Sequence, residues 1–239
     1  MTSLEKLLFQ VGLGVLLAYF TFNYGGDSPH YLYFPFFKSV RIALNLAAFI
    51  AIATIVMTGS SNAVNLTDGL DGLAAGCMAI VGFCFCILSL IIGTSSWAGE
   101  LLLTYVQASD QMAVLAGATA GACLGFLWFN CNPASVFMGD TGSLALGGLI
   151  GYIAIVIRQE LVLFIVGGIF VVEALSVMTQ VSYFKYTRKR FGEGRRIFLM
   201  SPLHHHFQRK GWTETQVVTR FWLVGAMLAA LALATVKLR

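Results

Sequence analysis

The sequence predicts an all-α, polytopic membrane helix bundle with about seven transmembrane helices, and three observations predict it. Of 239 residues, 58% are hydrophobic and only 11% are charged, whereas a soluble domain carries about a quarter charged residues. Apolar runs such as 113–129 and 217–236 persist almost without a charge, close to the roughly 20 residues a helix needs to cross a hydrocarbon layer. Unpaired backbone groups are too costly in lipid for anything but helices or a closed barrel. Barrel strands would be about half as long as these runs.

Taken in order, the apolar runs place spans at about 7–24, 40–58, 73–93, 112–129, 143–157, 161–180 and 217–236. The opening stretch carries Glu5 beside Lys6 and no small-residue cleavage site follows, so it reads as a retained span rather than a signal peptide. Cys77, Cys84, Cys86, Cys123 and Cys131 lie in or beside apolar segments without a Cys-x-x-Cys spacing. They read as small buried hydrophobes, not as a zinc site or a disulfide framework. With no internal repeat and no long linker, residues 1–239 form a single membrane-embedded domain.

Between the sixth and seventh spans lie Lys185, Arg188, Lys189, Arg190, Arg195, Arg196, Arg209 and Lys210, eight of the chain's fifteen basic residues. Basic loops stay on the cytoplasmic side. Counting spans from there places the 59–72 and 130–142 loops on that side too, with 25–39 and 94–112 opposite. Gly192 and Gly194 mark a turn in the largest loop.

Three polar clusters therefore share one side. The first, Gly59–Gly72, sets Asn62, Asn65, Asp68 and Asp71 among glycines. Asn65, Asp68 and Asp71 are spaced to share a face if the stretch is helical, and acids beside a membrane are more often functional than decorative. Capping of the third span by Asp68 or Asn65 is the competing role. The second cluster runs Asn130-Cys-Asn132-Pro-Ala-Ser-Val-Phe137-Met-Gly-Asp140-Thr-Gly-Ser143. Asp140 suits either a hard oxygen ligand for Mg2+ or a helix cap, and Phe137 either base stacking or interfacial packing. The third holds His204, His205 and His206, three of the four histidines. Three adjacent imidazoles cannot comfortably share one metal, so phosphate hydrogen bonding and packing are divided among them. Carboxylates, a glycine-bounded helix start and histidine with arginine are the parts that hold a diphosphate during phosphoryl transfer.

At these residues the chain resembles the phospho-N-acetylmuramoyl-pentapeptide transferases, the MraY family, within the polyprenyl-phosphate sugar-1-phosphate transferases. The resemblance lies in NAVNLTDGLDGLA at 62–74, FLWFNCNPASVFMGDTGSLALGG at 126–148 and SPLHHHFQRKGW at 201–212. It extends through the spans between them, and the histidine triplet favours the muramoyl-pentapeptide branch. It implies transfer of phospho-N-acetylmuramoyl-pentapeptide from its UDP carrier to undecaprenyl phosphate, giving lipid I and UMP, with Mg2+ as cofactor. It also implies catalytic roles for Asp68, Asp71, Asp140 and His205, with Asp140 ligating the metal. Asn62, Asn65, Asn130, Phe137, Gln180, His204 and His206 are implied to bind substrate. The expected setting is a bacterial inner membrane, multi-pass, with the active site facing the cytoplasm. The expected partners are the two substrates and membrane lipid; nucleic acid is not expected, and pairing of two copies is left open.

One feature departs from the family pattern: no two Asp residues are adjacent anywhere in the chain, whereas relatives carry an Asp pair followed three residues later by Lys. Met1–Lys6 resembles the internal stretch just after that motif. The expectation is an N-terminally truncated member whose transfer activity fails in this short form. Competing expectations are a related N-acetylhexosamine-1-phosphate transferase, an inactive remnant, and an ion-coupled transporter. Transport is disfavoured because pathway acids belong near span centres, where only Glu173 lies.

Overall fold

The computed structural model describes residues 3–25, 30–37 and 40–237. Met1 and Thr2, which belong to the Met1–Lys6 stretch compared above, lie outside the described residues, as do Leu238, Arg239 and parts of the 25–39 loop. Helix accounts for 75% of the described residues, and the all-α expectation holds. The order is α1 (Ser3–Tyr24), β1 (Tyr31–Tyr33), β2 (Arg41–Ala43), α2 (Leu46–Thr67), α3 (Leu73–Gly93), α4 (Ser95–Glu100), α5 (Asp110–Asn130), α6 (Gly139–Val156), α7 (Glu160–Val166), α8 (Gly168–Phe191), α9 (Leu203–Arg209) and α10 (Glu214–Lys237). α1, α2, α3, α5, α6 and α10 are long and apolar enough to span a membrane, and α7 with α8 makes a bent seventh. Trp128, at 80% exposure, and Val114, at 76%, point outward. Apolar side chains so exposed suit lipid rather than water.

Two expected spans differ. The second begins later than expected, because Arg41–Ala43 pairs with Tyr31–Tyr33 as a short antiparallel hairpin. Asn45 then starts α2, its Oδ1 accepting the Ala48 N–H at 2.9 Å. The same helix runs past its apolar stretch to Thr67, through residues expected to form a loop. Its polar side chains find backbone partners on α6: Ser60 Oγ donates to the Gly147 carbonyl at 2.7 Å, and Ser61 Oγ to that of Leu144 at 2.8 Å. Polar contacts of this kind hold helices together where lipid removes the hydrophobic drive. Gly147 permits the approach, since a Cβ there would lie 2.5 Å from the Ser60 carbonyl oxygen.

The sixth span, expected as one rod at 161–180, is broken at Gly167, where α7 and α8 meet at 84°. Hydropathy does not register such a break, because both arms are apolar. α8 continues to Phe191, with Arg188, Lys189 and Arg190 in its last turn, and ends at Gly192 with φ 79°. Basic side chains there complement the helix dipole, and glycine adopts the left-handed conformation at no steric cost. α3 is the innermost span: 67% of its most apolar window is buried, against 17% for α1.

Candidate active site at one end of the bundle

The start of α1, the end of α2, the start of α6 and the α8–α9 region converge on one end of the bundle, and the turn Asp68–Gly72 is their meeting point. α2 stops at Thr67, so Asn65, Asp68 and Asp71 do not share a helix face as their spacing suggested. The expected caps differ as well. Asp68 sits at the C-cap of α2, α3 starts from Gly72 without a side-chain cap, and α6 starts from Met138, leaving Asp140 in its first turn.

Asn65 and Asp68 face α6. Asn65 Nδ2 donates to Asp140 Oδ1 and to Ser143 Oγ, both at 2.9 Å. Asp140 Oδ2 forms an ion pair with the ammonium group of Lys6, which reaches across from α1. The Asp68 carboxyl is held above the usual carboxylate range, by burial first and then by the negative charge of Asp140; an N–H from Gly139 opposes the shift. Two carboxylates that repel each other at an open end make a place that a cation stabilises. Among the described residues, no group of three or more His, Cys, Asp or Glu converges as a metal cage. Mg2+ does not require one, since it commonly takes one or two carboxylates and completes its shell with water and substrate phosphate. Asp68 and Asp140 fit that arrangement, with Lys6 as the positive charge already present.

Asp71 turns to the other wall. Its Oδ2 accepts from Asn132 Nδ2 at 3.2 Å and from the Ala134 N–H at 3.0 Å, while its own N–H donates to Glu214 Oε1 at 2.9 Å. Asn130 is buried, its Oδ1 accepting the Gly72 N–H at 3.1 Å and its Nδ2 donating to the Val136 carbonyl at 2.8 Å. It therefore joins the two polar clusters from behind. Phe137, 74% exposed on the same loop, leaves its ring free for stacking.

Gln180 and the histidines form the third wall. Gln180 Oε1 accepts the N–H groups of Ile197 and Phe198 at 3.1 and 3.0 Å, which folds the basic loop back on α8. His205 Nδ1 lies 2.8 Å from Gln208 Oε1, and His206 Nδ1 accepts the Leu199 N–H at 3.1 Å. His204 is fully buried against Glu173 and Gly69. Glu173, the one acid expected near a span centre, thus packs against the histidine helix.

Asn62 Nδ2 donates to Gln10 Oε1 at 2.9 Å, and Gln10 Nε2 to Ser61 Oγ at 2.9 Å. Below this pair an apolar groove of about 580 Å3 runs between α1, α2, α7 and α8, lined by Val11, Ile55, Phe164, Phe170, Leu175 and Met178. Ser60, Asn62 and Leu66, from the polar end of α2, are also among its lining residues. Sequence reasoning missed Lys6, Gln10 and Glu214. A lysine at the head of an apolar span reads as an interface anchor, and nothing local links Lys6 to a partner 134 positions away.

Compared with known families, residues 1–158 match the sequence model of Glycosyl transferase family 4. The match takes in Lys6, the 62–74 and 126–148 stretches and Asp140, and ends before the histidine triplet.

Proposed function

The chain belongs to glycosyl transferase family 4, the polyprenyl-phosphate sugar-1-phosphate transferases, and from that premise we propose that it transfers phospho-N-acetylmuramoyl-pentapeptide from UDP to undecaprenyl phosphate. The observation that carries this reading is that α2 serves both parts: Asn65 near its end meets the polar cluster of Lys6, Asp68 and Asp140, and its residues 54–66 line an apolar groove. A phosphate head on a long isoprenoid tail has that same division of polarity. The resemblance at the histidine triplet favours the muramoyl-pentapeptide branch within the family.

In the proposed reaction an oxygen of the lipid phosphate attacks the β-phosphorus of the UDP-sugar. The bond from that phosphorus to the bridging oxygen breaks, and UMP leaves with the electron pair. Mg2+, when bound, neutralises charge on the diphosphate. Asp140 and Asp68 would hold it, with Asn65 fixing the orientation of Asp140. Lys6 presents a positive charge to the phosphoryl group in transfer, where preorganised charge lowers the barrier most. Asp71 braces the 130–137 loop, so that the Phe137 ring can stack on the uracil. Eight basic residues in the 181–216 segment support a cytoplasmic site in a bacterial inner membrane.

The test is transfer of radiolabel by purified protein in lipid nanodiscs containing undecaprenyl phosphate and Mg2+, offered UDP-N-acetylmuramoyl-pentapeptide or UDP-N-acetylglucosamine. Lipid-linked product from the first alone, with equimolar UMP, is expected. Product from the second alone would assign an N-acetylhexosamine substrate, and no product from either would overturn transfer by this chain in favour of the inactive short form expected from the missing Asp pair.

A further inference from the structure

Glu173 and His204 are both fully buried where α8 meets α9. A buried carboxylate is costly unless its oxygens are satisfied. Here Oε2 accepts the Leu203 N–H at 2.7 Å and Oε1 the His204 N–H at 3.1 Å. These are among the first N–H groups of α9, which have no partner inside the helix. Pro202, at the N-cap, has no side-chain oxygen to offer them. Glu173 is thus the cap of the histidine helix, supplied from a different helix.

The same Oε2 lies 3.3 Å from His204 Nδ1, within reach of electrostatic attraction, although Nδ1 has no partner of hydrogen-bond geometry. A bare nitrogen lone pair would be repelled there, so the carboxylate favours a proton on Nδ1. On the far side of the ring, Nε2 presses on the Asp68–Gly72 turn: a Cβ built on Gly69 would sit 2.4 Å from it.

We infer that Glu173 is a positioning residue that acts through His204 to set the Asp68–Asp71 turn. The carboxylate holds α9 by two N–H groups and attracts the Nδ1 edge of the imidazole across 3.3 Å. The ring fills the space that a side chain at position 69 would need. The turn carries Asp68 toward Asp140 on one side and Asp71 toward Asn132 on the other, so its placement governs both walls of the site. The first histidine therefore works from beneath the site without touching substrate. Its activity readout rests on the transferase reading above.

The experiment uses the full chain labelled with 15N-histidine in detergent micelles, with long-range 15N–1H correlation to read the protonation of each ring nitrogen and His204→Gln to assign the signals. A protonated Nδ1 on His204 is expected, and its redistribution to Nε2 in Glu173→Gln. In the transfer assay, Glu173→Gln should lower kcat roughly tenfold to a hundredfold, the scale seen when a group that orients a functional histidine is removed. The double variant should be no slower than His204→Gln alone, because both losses act through one ring. An unprotonated Nδ1 in the wild type, an unchanged spectrum in Glu173→Gln, or additive losses in the double variant would each overturn the inference. If Glu173→Gln fails to fold, the wild-type spectrum alone still decides. Because the spectra need no turnover, they judge the pair even if neither UDP-sugar is a substrate; absence of lipid product from the wild type refutes only the transferase reading.

Discussion

At the scale of single residues, charge and space dominate the site. Asp140→Asn keeps the shape and the partner atoms of Asn65 but removes the charge that faces Lys6 and a bound cation. It should cost transfer about a hundredfold or more, the scale of losing one preorganised electrostatic contact, while the protein still inserts and purifies. Turnover near wild type at limiting Mg2+ would assign Asp140 to helix structure alone. Gly69→Ala adds only a methyl group, yet its Cβ would meet His204 Nε2. Since displacement of about 1 Å can cost a hundredfold in rate, an alanine there that turned over normally would show that the turn is free to move. His30, stacked on Phe22 with ring centres 4.2 Å apart and buried beside Phe49, has its pKa lowered to about 4, by burial first and then by the charge of Arg158. Below the ordinary histidine range the unfolded chain takes up a proton that the folded chain refuses. Stability present above about pH 6.5 should therefore be lost progressively as pH falls toward 4 and then level off. Thermal unfolding in detergent across that range should show the decline, and His30→Gln should flatten it; identical profiles would refute the assignment.

At the scale of helices, the site depends on how closely α2 approaches α6. Ser60 and Ser61 donate to α6 carbonyls, and Gly147 and Gly151 leave room for them. Gly147→Val would drive its side chain into the Ser60 backbone, at a cost of about 1–3 kcal/mol for overpacking. It should lower the unfolding temperature and, by parting Asn65 from Asp140, reduce transfer more than stability alone explains. Retained activity in a destabilised variant would separate the helix contact from the site. The bend between α7 and α8 belongs to this scale too. It turns α8 away from the line of the span, so that Glu173 and Gln180 meet α9 and the basic loop rather than lipid.

At the scale of the whole molecule, six helices and one bent pair among the described residues suit a multi-pass membrane protein, and the three polar clusters gather at one end of the bundle. The basic loop is the ground for the proposal that this end faces the cytoplasm. A cysteine placed at Glu193, in a background with the exposed Cys131 changed to serine, should react with an impermeant thiol reagent only after the membrane is opened. A cysteine replacing Ile42 on the hairpin, at the opposite end of α2, should react in intact cells. Reversed labelling would invert the topology and place the site outside.

The sequence by itself determined the membrane class, the number of spans to within one, and the three polar stretches that meet in the fold, because length and hydropathy are local properties of the chain. The end of α2 at Thr67, the break at Gly167 and the pairing of Lys6 with Asp140 were decided only by the tertiary structure. Hydropathy at 59–67 reads as a loop, since nothing local says that α6 will satisfy Ser60 and Ser61. The apolar run across Gly167 is continuous on either side of the bend, and an acid inside a span looks like an ion pathway until α9 brings its unpaired N–H groups to it. In each case the deciding contact joins segments far apart in the chain, and its energy exists only once the helices have packed.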